Sequence, residues 1–190
     1  LQEKNHGKRV NVLLSLTKAA GIDPFNRQDT DPPIHQKMGK QILQSLLQIE
    51  SKGLTPSERL TLVRTYQVAM VRFGKPSPQV GVKIVGQLDS QFPAKNFEMN
   101  WLLCETLAFL DSPTAAKKGI ALLLEAPTQE EQMEYARSLR NLKSGWTHEL
   151  RVQYFDWFLK RFPEDEVLSP RTELKDFIFK NSFSVILFHP

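Results

Sequence analysis

Any chemistry in this chain has to come from few groups. There is one cysteine, Cys104, and four histidines, His6, His35, His148 and His189. Cys104 sits in NWLLCETLAFL among Trp101, Leu103, Leu107 and Leu110, with no Lys, Arg or His beside it to lower its pKa. That setting reads as packing, not as a nucleophile. The histidines are scattered, and no two have the i, i+4 spacing that builds a metal site on a helix. With a single cysteine there is no C-x-x-C-H segment to attach heme, so no cofactor and no metal is expected. Two carboxylates meeting in a cleft could serve as acid and base. Glu130 and Glu131, however, read as first-turn residues of a helix, and Glu164, Asp165 and Glu166 as a solvated loop. The nine glycines are dispersed and form no phosphate cradle. Gly39, Gly81, Gly86 and Gly119 fall inside helices, where they would allow close helix approach. An enzyme reading therefore needs a site assembled between distant elements, and the expectation is that this segment is not one.

The frame that would position such groups is helical. The chain has 190 residues, 41% hydrophobic and 24% charged, the balance of an ordinary globular protein with a continuous core. A lone cysteine permits no internal disulfide and leaves the redox compartment open. No apolar run reaches the roughly 18 residues that a membrane helix needs, so membrane insertion is not expected. The chain begins at Leu1 without a signal-like segment and reads as a piece of something longer.

Helix starts are the clearest punctuation. RVNVLLSLTKAAG puts Val10, Leu13, Leu14 and Leu16 on one side and stops at Gly21, and a loop rich in Asp and Pro follows. IHQKMGKQILQSLLQIESKG spaces Ile42, Leu46 and Ile49 at i, i+4, i+7, with Gly53 as its stop. Thr55-Pro56-Ser57-Glu58 is a capping box with proline at N1. Ser77-Pro78 and Ser112-Pro113 repeat the Pro device, Thr128 to Glu131 is a second capping box, and Thr147 caps a last helix. The helices predicted are 56–74, 78–92, 95–111, 113–125, 129–143 and 148–162. Starts at 78, 113 and 148 recur every 35 residues, the mark of an α-solenoid with two helices per unit. The tetratricopeptide signature of Trp, Leu-Gly and Tyr is absent from 95–127, whereas Leu-rich second helices such as GIALLLEAP suit HEAT-like repeats.

The segments NFEMNWLLCETLAFLDSPTAAKKGIALLLEA and TQEEQMEYARSLRNLKSGWTHELRVQYFDWFLK resemble the HEAT-like helical region of large multidomain proteins of planctomycete-type bacteria. The resemblance covers residues 94–160 best. Its most specific part is the Gly145-Trp146-Thr147 turn followed by Glu149, Arg151, Tyr154, Phe155 and Trp157. In those proteins the region lies beside redox, heme-binding or hydrolase modules. The resemblance thus implies a structural module of an exported parent, periplasmic or in the cell envelope. The family's helix leads into a Gly-rich segment, whereas here it meets RFPEDEVLSP.

The expected fold is all-α, a right-handed stack of antiparallel helix pairs over residues 1–162, with a C-terminal extension at 163–190. That extension ends in FIFKNSFSVILFHP, strongly apolar and β-prone. After Ser169-Pro170 it reads as a further helix and a strand-like end that folds back on the stack or contacts a missing domain. In SGWTHELRVQYFDWFLKRFP, the residues Leu150, Tyr154, Trp157, Phe158 and Arg161 form one stripe, flanked by Phe155, Leu159 and Phe162. A stripe this broad suits a helix packed against two neighbours. The function expected is a non-enzymatic scaffold that presents its surface to a protein partner or to a neighbouring domain of its parent. Trp146, Arg137 and Arg140 are the candidate contacts. The alternative is nucleic acid. Residues 1–75 carry 12 Lys or Arg against 6 acids, and Lys37, Lys40, Arg64 and Arg72 would follow a phosphate backbone.

Overall fold

The computed structural model describes residues 3–23, 28–30 and 35–161. Among them are eight α-helices, one short 3-10 turn and no strand, so the described part of the chain is all-α. The helices are α1 (His6–Ala20), α2 (Gln36–Leu47), α3 (Pro56–Phe73), α4 (Pro78–Asp89), α5 (Phe97–Phe109), α6 (Ala115–Glu125), α7 (Gln129–Leu139) and α8 (His148–Arg161). The chain divides into two compact units, residues 1–88 and 89–190. The C-terminal extension expected at 163–190 lies outside the described residues, as does Phe162 of the aromatic stretch.

In the first unit α3 packs on α1 and α2. The Asn5 side chain caps α1 by accepting from the Lys8 N–H at 2.9 Å. Thr55 and Glu58 form the reciprocal capping box of α3: Thr55 Oγ1 accepts from the Glu58 N–H at 3.3 Å, and Glu58 Oε2 accepts from the Thr55 N–H at 2.8 Å. The core joins Val10 and Leu13, Ile42 and Leu46, Leu62, Val63, Tyr66 and Met70, and Ile84 and Leu88, all at 1% exposure or less. Gly39 is needed for close approach, since a Cβ there would meet Phe73 Cβ at 2.7 Å. Gly86 has no such role, because it faces open space.

The second helix stops sooner than its sequence suggests. It ends at Leu47, and Ser51–Gly53 is a separate 3-10 turn. The carbonyls at and just beyond its end are also reached from elsewhere: Gln87 Nε2 donates to Leu46 O at 3.3 Å and to Ile49 O at 2.8 Å, while Tyr66 O–H donates to Gln87 Oε1 at 2.6 Å. Chain-end groups left over by a helix need such partners.

The second unit is built on α5. Met99 to Phe109 are buried except for half-buried Trp101, so this helix is covered almost all round. It packs on α6 and α7, and α6 in turn packs on α7 and α8. Asn96, Thr128 and Thr147 each cap a helix here by accepting from the N–H three residues on. At Ser112-Pro113 the helix begins two residues later than expected, at Ala115; Thr114 stands at its N-cap, makes no side-chain capping bond and donates its hydroxyl to Asp89 Oδ1. Starts at residues 78, 115 and 148 are therefore 37 and 33 apart, not uniformly 35.

Candidate interaction surfaces

α8 carries aromatic residues on more than one side, and the structure sorts them. Tyr154 and Trp157 are buried. The Tyr154 hydroxyl donates to Ala136 O at 2.8 Å, and burial pushes its phenol pKa up. Trp157 Nε1 donates to Gln132 Oε1 at 2.9 Å. Phe158 is half-buried, with its ring edge-on to both Tyr154 and Trp157. Phe155 and Leu159 are not part of that core: they stand 58% and 65% exposed. With Val152, 43% exposed, they occupy i, i+3 and i+7 and line one outer flank of α8. The expected stripe was too wide because the neighbours α6 and α7 cover only the Tyr154 and Trp157 side of the helix.

The expected partner contacts differ in accessibility. Trp146 is half-buried: its Nε1 donates to Leu142 O at 2.8 Å, its ring lies edge-on to Tyr154, and the Arg151 guanidinium sits 5.8 Å from its centroid. Arg137 is 7% exposed. Its guanidinium pairs with Glu134 at 2.6 Å and Glu105 at 3.8 Å and lies over the Trp101 ring. A cation so enclosed belongs to the interior. Arg140 is half-buried, and desolvation holds its pKa below the usual arginine value. Desolvation also raises the Glu134 carboxyl, against the opposing pull of Arg137.

The cationic set divides in the same way. Arg72 Nη1 donates to Lys18 O at 3.1 Å and Gly21 O at 3.2 Å, and Nη2 lies 3.7 Å from Asp23. It closes the end of α1. Arg64 donates to Gln67 Oε1 at 3.1 Å. Lys37 and Lys40 are exposed on α2. Lys40 also borders a cleft of about 270 Å³ between α2 and the turn joining α3 to α4. No single stretch of sequence marks this cleft, because its walls are about 30 residues apart along the chain.

Cys104 is fully buried, and burial followed by the Glu105 charge pushes its thiol pKa up. Tyr135 is pushed up to about 12, first by burial. His6 Nδ1 accepts from the Glu50 N–H at 3.3 Å, and His35 and His148 are exposed at helix starts. Among the described residues no three His, Cys, Asp or Glu come together as metal ligands. No helix among them is long and apolar enough to cross a membrane. No protein-family model, no curated protein and no solved structure matches this chain.

Proposed function

We propose that this chain is a HEAT-like helical-repeat module that presents its surface to a protein partner or to a neighbouring domain of a larger parent. The observation that carries the reading is the flank of α8. Val152, Phe155 and Leu159 remain in water beside the buried Tyr154 and Trp157. Large apolar groups aligned on one helix flank are what a partner's surface buries, and aromatic residues are favoured anchors there. Pairing of helices two apart supports a repeat stack of antiparallel hairpins: α1 with α3, α5 with α7, α6 with α8. This is an argument from architecture, which supports many functions.

The test is a photo-crosslinking residue at position 155 or 159 in the protein expressed in its parent chain. A discrete crosslinked product is expected there and not from exposed Glu125. Equal yields from all three positions would remove the support.

The nucleic-acid reading rests on the basic residues 1–75. It predicts retention on a polyanion column that falls steeply with salt. It has less to stand on, since Arg72 and Arg64 are engaged within the fold.

A further inference from the structure

The outer flank of α8 has heptad spacing. His148, Val152, Phe155 and Leu159 follow one another at intervals of four, three and four, and all are exposed. That is the d, a, d, a seam of a coiled coil, in which Arg151 takes position g and Glu149 and Asp156 take position e. Arg151 and Asp156 therefore border the apolar line from opposite sides, and both are exposed. Among the described residues neither forms an ion pair. Arg151 lies instead near the Trp146 ring, 5.8 Å from its centroid.

We infer that this seam pairs with the same seam of a second copy of the chain, the two α8 helices running parallel. The inference rests on the reading of this flank as an interaction surface and names its partner. The charges choose the direction. In a parallel pair, position g of one helix faces position e of the other, five residues further on. That sets Arg151 against Asp156 of the second copy, and two-fold symmetry repeats the pair. In an antiparallel pair e faces e, which would set acid against acid at a cost. A helix of another protein would need its own acid and base on matching edges, whereas a second copy already has them. Stable interfaces bury roughly 1,200–2,000 Å². Three large apolar side chains on a helix of 14 residues supply less, so the dimer is weak and depends on concentration.

Sedimentation velocity of the full chain over a concentration series tests this. A reversible dimer is expected, with Kd on the order of 100 µM. Arg151→Asp or Asp156→Arg should each weaken it by about tenfold, because each sets like charges together twice. Both changes on one chain should bring Kd back to within about threefold, since the opposite charges then face each other again. An equal mixture of the two single variants should recover in the same way. Phe155→Ser should abolish the dimer. All three positions are exposed, so helix content and Tm should hold. A monomer at every concentration, a dimer indifferent to the single reversals or to Phe155→Ser, or no recovery when the reversals are combined would each overturn the inference. The crosslink from position 155 separates the two claims. A product of twice the mass of the chain that carries it supports both. A discrete product with a different protein, or with another part of the parent, sinks only the pairing of copies. Equal yields from 155, 159 and Glu125 sink both.

Discussion

The carboxylate of Asp111 holds Ser144 by two bonds: Oδ1 accepts from the Ser144 N–H at 2.8 Å and Oδ2 from its hydroxyl at 2.9 Å. Oδ1 also accepts from the Lys143 N–H at 2.9 Å. Asp111 adopts φ of +61°, a left-handed conformation that Asp tolerates better than most residues. This one side chain joins the turn after α5 to the turn before α8. Across the same junction Gly145, at φ +76°, lies so close that a Cβ would meet Pro113 O at 2.1 Å.

Asp111→Ala should therefore cost about 2–3 kcal/mol, because it strips three acceptor contacts and leaves the φ strain. Asp111→Asn should cost less, since it keeps one acceptor oxygen and suits the same φ. Urea unfolding measures both, and equal losses would show that the carboxylate does not act as a clamp.

Trp157→Ala and Phe155→Ser should part company. Trp157 is 6% exposed and hydrogen-bonded to Gln132, so its truncation should cost on the order of 3–5 kcal/mol. Phe155 stands in water, so its replacement should change stability by no more than about 0.5 kcal/mol while abolishing crosslinking from neighbouring position 159. A large stability loss for Phe155→Ser would mean that its flank is covered.

Thr55→Ala should cost about 1 kcal/mol as a lost N-cap. Its partner Glu58 gives a pH signature. The Thr55 N–H, then its hydroxyl, hold the Glu58 carboxyl below its ordinary value. A depressed folded pKa contributes stability above the unfolded value of about 4.3, and that contribution is lost as pH falls through the folded pKa. The Tm difference between the native protein and Glu58→Ala should thus be larger at pH 7 than at pH 3. A difference that is flat with pH would contradict the capping bond.

Cys104 should resist thiol reagents in the folded protein and react fully in denaturant. It is fully buried, and burial favours the thiol over the thiolate that reacts. Rapid labelling of the native state would show that α5 opens locally.

Local chemistry made much of this protein legible from its sequence. Thr55 with Glu58, Thr128 and Thr147 mark helix starts because a cap is settled by residues three apart. The i, i+4, i+7 run of Ile42, Leu46 and Ile49 marks a core face in the same way, and all three are buried. Tertiary structure decided what those rules cannot reach. Periodicity says that Tyr154, Phe155, Trp157 and Leu159 are apolar, but only the positions of α6 and α7 decide that the first and third are buried and the others exposed. Arg137 reads as a surface cation until Glu105, 32 residues away, is brought beside it. Thr114 reaches across to Asp89, 25 residues away, and the cleft at Lys40 exists only where α2 meets the turn after Phe73. Each of these depends on distances between residues far apart in the chain, which packing of the whole core sets and no short stretch of sequence encodes.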